Sequence, residues 1–114
     1  MTVSSIVVTI GSALANSYVT VAEFDQYCID RVPNDNYTTY AADTDRKKRA
    51  LLTATQRLDQ FYYEGNVVDK DQALQYPRYG SYGRNGWAIL GTEIPEDLKR
   101  AQMELAYIFL VTDH

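Results

Sequence analysis

In Asp45-Arg46-Lys47-Lys48-Arg49-Ala50-Leu51-Leu52-Thr53-Ala54-Thr55-Gln56-Arg57-Leu58-Asp59-Gln60-Phe61-Tyr62-Tyr63, the residues Ala50, Leu51, Ala54, Leu58, Phe61 and Tyr62 recur at helical intervals and make one apolar face. Asp43 or Thr44 can cap the start, and Gly65 is a natural stop just past the end. The spacing predicts a helix over 45–63. On its N-terminal side, Thr20-Val21-Ala22-Glu23 has the spacing of a capping box. Val21, Phe24, Tyr27 and Cys28 follow at helical intervals, which predicts a helix over 21–31, closed by Pro33 and the polar Asn34-Asp35-Asn36. On its C-terminal side, Pro95 suits a first helical turn, and Glu96 and Asp97 complement the positive helix end. Leu98, Ala101, Leu105 and Ile108 line one face of this last helix. From Leu105 to Val111 it is apolar almost all round, so it needs cover on more than one side, either as the central helix or against another subunit. It runs to the end of the sequence without a capping glycine, which leaves room for an extension beyond it.

Two segments lack helical periodicity. Thr2 to Ile10 is rich in β-branched residues and precedes Gly11, which predicts an extended arm that docks on a neighbouring subunit or pairs within its own chain. Residues 64–94 form a long connection. Within it, Gln72-Ala73-Leu74-Gln75-Tyr76-Pro77-Arg78 mixes apolar and rigid residues, and Pro77 biases Tyr76 towards an extended shape. Such a loop is pinned and presents something, with Arg78 the candidate. Asn85-Gly86 reads as a tight turn of a small hairpin between Tyr79 and Ile89.

The expected fold is therefore mainly α: a small bundle of three or more helices, with an extended arm and a long ordered loop before the last helix. The whole of 1–114 is one domain, divided into an arm 1–16, helices 17–63, the loop 64–94 and a last helix 95–114. A chain of 114 residues with 46% hydrophobic residues can build one modest core.

The net charge of −4 argues against a dedicated nucleic-acid binder, whose footprint is a basic patch. The one dense basic run, Arg46-Lys47-Lys48-Arg49, sits at a helix start that disfavours cations. It is either a contact for DNA or an acidic partner, or a solvated face balanced by Asp43 and Asp45. Ten tyrosines suit protein contact or the rim of a small core. Cys28, the single cysteine, reads as a buried, inert thiol in a reducing compartment. The single histidine, His114, ends the sequence, and no cluster has metal-ligand spacing. Gly80-Ser81-Tyr82-Gly83-Arg84-Asn85-Gly86 lacks the lysine and hydroxyl of a phosphate loop. No base accompanies a nucleophile, and no two carboxylates share an apolar setting. No catalytic residue, cofactor or metal is expected. The N-terminus lacks a signal-peptide pattern and the last apolar run is too short to cross a bilayer, which predicts a soluble cytoplasmic chain with no membrane partner.

Four segments taken together carry a resemblance: Ala15-Asn16-Ser17-Tyr18-Val19-Thr20-Val21-Ala22-Glu23, Ala50-Leu51-Leu52-Thr53-Ala54-Thr55 with Leu58-Asp59, Gln72 to Arg78, and Ile94-Pro95 followed by Lys99, Ala101, Gln102, Glu104, Leu105 and Ala106. In this order they resemble the head–tail connector, or neck adaptor, proteins of tailed phages. Some related sequences carry instead the label of DnaT-like single-stranded DNA-binding proteins. Tyr76 stands where tryptophan is the more frequent residue, and the family often continues past the third helix. The resemblance implies a mainly helical adaptor with no chemistry of its own, in the virion neck and, during assembly, the host cytoplasm. Its partners would be copies of itself in a ring, usually a dodecamer, the portal protein above, the next neck or tail protein below, and DNA in the lumen. An acidic balance suits a channel in which DNA slides. The expected interface residues are Leu74, Tyr76, Pro77, Arg78, Tyr79, Tyr82 and Trp87. The alternative is a single-strand DNA-binding replication protein using Arg46, Lys47, Lys48 and Arg49 beside tyrosines.

Overall fold

The computed structural model describes residues 3–31, 35–63, 65–83 and 86–112, with the backbone alone at Asp35, Asn36 and Thr112. Pro33, Asn34, Arg84, Asn85 and His114, all weighed above, lie outside the described residues. Among those described are four helices, α1 (Val21–Asp30), α2 (Asp35–Tyr40), α3 (Thr44–Leu58) and α4 (Glu96–Thr112). Between α3 and α4 lie two antiparallel strand pairs: β1 (Asn66–Val67) with β2 (Arg78–Tyr79), and β3 (Ser81–Tyr82) with β4 (Ala88–Ile89). The fold is thus a small compact domain of helices plus short strand pairs, less purely helical than the sequence suggests.

The capping box forms as expected: Thr20 Oγ1 accepts from Glu23 N at 3.1 Å, and Glu23 Oε1 accepts from Thr20 N at 3.0 Å. Asp43 caps α3 by accepting from Arg46 N at 3.1 Å. The hairpin also forms, with Ser81 opposite Ile89 and Tyr82 opposite Ala88. The pairing of β1 with β2 requires Gly65, whose φ is +81° and where a Cβ would stand 1.7 Å from the Tyr79 carbonyl oxygen.

Two expectations need correction, and one helix was not foreseen. The helix expected over 45–63 ends at Leu58. Asp59 is its C-cap, with its N–H still donating to the Thr55 carbonyl at 3.0 Å while its Oδ1 accepts from the Tyr18 hydroxyl at 2.6 Å, and the Tyr63 hydroxyl turns back to donate to the Leu58 carbonyl at 2.6 Å. The two tyrosine bonds close the helix end and leave Phe61 and Tyr62 exposed. α1 ends at Asp30, ahead of Pro33 and the polar group as expected, and a further short helix, α2, begins at Asp35. Tyr37 holds it there: its ring is buried and its hydroxyl donates to Asp25 Oδ1 at 2.8 Å, a tertiary contact that outweighs weak helix propensity. The β-rich arm is not a strand. Asn16 Oδ1 accepts from Val7 N at 2.8 Å, Asn16 N donates to the Val7 carbonyl at 3.0 Å, and Ile6 packs on the core, so the described arm folds onto its own chain.

α4 takes the central position, packing on α3, α2 and α1. Its Ala106, Tyr107 and Leu110 join Phe24, Cys28 and Leu51 in the main core. Burial pushes the Cys28 thiol up to about 12, so it is an inert core group. A second cluster of Tyr18, Leu58, Tyr76 and Leu98 sits under the long loop. Glu104 on α4 is clamped by Arg31, with Nη2 at 2.6 Å and Nε at 3.0 Å, and accepts from the Tyr27 hydroxyl. These donors hold its carboxyl down at about 2. No described helix is long and apolar enough to cross a membrane.

Candidate interface groove and the basic run

In the described part of the long connection, most of the recognition candidates point inward. Asp59 is its anchor: besides the Tyr18 hydroxyl it accepts from Gln75 N at 3.4 Å, while the Gln75 amide donates to the Asp59 carbonyl at 3.4 Å. Burial raises the Asp59 carboxyl above its ordinary range, against the pull of its donors. Gln72 Nε2 donates to the carbonyls of Leu74 and Pro77 at 2.8 and 2.9 Å, tying the loop to itself. The Tyr76–Pro77 peptide bond is cis.

Tyr76 is buried, stacks edge-on with Tyr63 at 5.2 Å and shares a 3.1 Å hydrogen bond with Ser81. Leu74 is half-buried against the same cluster and Pro77 is buried. Arg78 does not present itself outward. It is 9% exposed, and its guanidinium donates to the carbonyls of Gln75, Tyr63 and Gly65 and to Gln75 Oε1, at 3.2, 3.2, 2.7 and 2.8 Å. It is a staple that gathers loop carbonyls. Tyr79, Tyr82 and Trp87, by contrast, are exposed on β2 and around the β3–β4 hairpin.

A groove of about 680 Å³ runs between that hairpin and the start of α4. Leu58, Tyr63, Tyr76 and Leu98 line it, Tyr82 and Trp87 form one side, and Glu93, Glu96, Asp97 and Arg100 the other. Its size falls within the usual range for binding clefts. The described lining therefore carries three carboxylates against one guanidinium.

The basic run comes apart on the helix, as four consecutive residues must. Lys47 points into the core: it is 4% exposed, and its ammonium donates to Asp25 Oδ1 at 2.8 Å and to the Ala41 carbonyl at 2.7 Å. Its place in a DNA or acidic-partner contact is therefore withdrawn; the group is used inside the fold. Arg46 stacks on Tyr40 at 3.9 Å and donates from Nε to the Leu110 carbonyl at 2.7 Å, at the C-terminal end of α4 where a cation is favoured. Lys48 is half-buried and Arg49 exposed. Lys47→Met is expected to cost about 2 kcal/mol, less than a fully buried pair because Asp25 is a third exposed. Arg49→Met should stay within about 0.5 kcal/mol of the parent. Urea unfolding of both variants checks this; equal midpoints would mean that Lys47 is not held as described.

Sequence reasoning missed Gln102 as a structural hub, Asp59 as the loop anchor and the groove itself. A lone glutamine on an apolar helix face and an aspartate just past a helical run were the available signals.

Among the described residues no group of three or more His, Cys, Asp or Glu side chains could hold a metal ion. The chain belongs to the family described as "Putative DnaT-like ssDNA binding protein", whose sequence pattern it matches over residues 5–114. No curated protein and no solved structure matches the chain.

Proposed function

We propose that the protein is a non-catalytic assembly subunit, a head–tail connector of a tailed phage, which works by contact with other proteins. The observation that carries this reading is the aromatic groove beside the hairpin, bordered by Glu93, Glu96 and Asp97. Exposed aromatic side chains next to an apolar cleft suit a protein surface, and a carboxylate edge repels phosphate. The resemblance to neck adaptors supplies the rest: a ring of copies, usually twelve, between the portal and the next neck or tail protein, with DNA passing through the lumen, in the virion and beforehand in the host cytoplasm. Tyr79, Tyr82 and Trp87 remain the residues best placed for contact.

The family description favours a second reading, single-stranded DNA binding, and it is the more direct support of the two. Phe61, Tyr62, Tyr79, Tyr82 and Trp87 are exposed and could stack on bases. A basic groove beside them is what this reading needs, and Lys47 and Arg46 are occupied inside the fold. One pair of measurements separates the readings: the mass of the chain in solution and its presence in purified particles, and binding of a labelled thymidine oligonucleotide as salt rises from about 50 to about 200 mM. The connector reading expects a ring-sized species or the chain in particles, and no saturable oligonucleotide binding at low salt. Tight binding that falls steeply with salt, from a chain absent from particles, would replace it with the second reading.

A further inference from the structure

The groove between the β3–β4 hairpin and α4 has a chemistry of its own, and we infer that it receives a segment of a partner protein carrying lysine or arginine among apolar residues. The inference rests on the protein-contact reading above and names the occupant of that site. Two features point to a cation. Glu93, Glu96 and Asp97 outnumber Arg100 along the described lining. Glu96 to Lys99 and Asp97 to Arg100 are i,i+3 pairs at a long 3.8 Å, weak contacts near the surface, and Glu93 Oε1 accepts from Leu90 N at 3.0 Å. The aromatic rings of Tyr63, Tyr76, Tyr82 and Trp87 line the same space, and ring faces attract ammonium and guanidinium groups. Leu58 and Leu98 then offer apolar cover to the residues flanking the charge.

The N-terminal arm of a second copy does not have this chemistry. Residues 1–30 contain no lysine or arginine. A phosphodiester backbone is repelled by the carboxylate side. A separate protein with a basic, apolar segment is the occupant that the charges fit.

Trp87 is the single tryptophan of the chain, and it stands at the groove, so its fluorescence reads occupancy directly. The probes are an eight-residue peptide alternating leucine and arginine, its leucine–glutamate counterpart, and a thymidine oligonucleotide. The arginine peptide should give a saturable change in Trp87 emission; the other two should not. Glu93→Gln with Glu96→Gln should weaken that binding about tenfold. Asp45→Asn with Asp71→Asn, which removes as much charge from exposed positions outside the groove lining, should weaken it less than about twofold. No saturable change, equal loss in both double variants, or equal binding of the glutamate peptide would overturn the inference. If the glutamine variants lower the unfolding midpoint, the comparison of the two peptides on the parent chain decides. A chain absent from particles that still binds the arginine peptide would sink the connector reading alone. A chain present in particles with no peptide binding would sink this one alone.

Discussion

Gln102→Ala is expected to lower the unfolding free energy by about 3–4 kcal/mol, with the midpoint in urea falling accordingly. Gln102 lies on α4 and is completely buried. Its Oε1 accepts from Tyr18 N at 3.0 Å, and its Nε2 donates to Ser17 Oγ at 2.7 Å and to the Leu51 carbonyl at 3.3 Å. One side chain therefore joins the segment before α1, the middle of α3 and α4. Ser17 extends the link by donating to the Val19 carbonyl at 2.7 Å. Truncation to alanine leaves a cavity and strands a buried backbone donor at Tyr18. Gln102→Leu separates the two costs: it refills most of the volume and restores no hydrogen bond, so it should recover roughly half of the loss. A leucine variant as stable as the parent would mean that the bonds at Gln102 add nothing net, and that packing alone fixes the junction.

Local rules made part of this molecule legible. Thr20 and Glu23 stand three residues apart, so their reciprocal bonds could be read directly, and of the two candidate caps of α3, Asp43 and Thr44, Asp43 serves. The apolar stripe from Ala50 to Leu58 fixed α3, and the apolarity of Leu105 to Val111 left either a central helix or one packed on another subunit; the helix is central, with Ile108 still exposed. What escaped depended on groups far apart in the chain. Tyr18 and Gln102 are separated by 84 positions, Tyr18 and Asp59 by 41, and Lys47 and Asp25 by 22. Lysine in a basic run has the same side chain whether it meets solvent or an aspartate on a neighbouring helix, and only the packing angle decides. α3 was read five residues too far at its C-terminal end because Phe61 and Tyr62 keep the apolar spacing past Leu58. The site shows the same division. That the 72–78 segment packs on the helices was readable from Pro77 and its neighbours, but the direction in which Arg78 points was not. It is set by carbonyls that converge from Tyr63, Gly65 and Gln75 only once β1 and β2 pair.

The second large effect concerns that loop and reverses an expectation drawn from its rigidity. Were Tyr76 a presented contact, Tyr76→Ala would spare the monomer and damage assembly. Its burial says otherwise: the ring packs with Tyr18, Leu58 and Leu98, meets Tyr63 edge-on, and shares its hydroxyl with Ser81. Removing a buried aromatic ring of this kind should cost about 3–5 kcal/mol, which for a small domain can consume most of the margin. Tyr76→Phe keeps the ring and loses only the Ser81 bond, so it should cost about 1 kcal/mol. Trp87 supplies the opposite case. It is 76% exposed, so Trp87→Ala should stay within about 1 kcal/mol of the parent in urea unfolding while weakening whatever the groove binds. The pair therefore assigns two roles to two aromatic residues of one loop: Tyr76 holds the scaffold that shapes the groove, and Trp87 meets its occupant. If Tyr76→Ala unfolds at the parent's midpoint, the ring is not the keystone of the second core, and the groove lining must be held by the strand pairs alone.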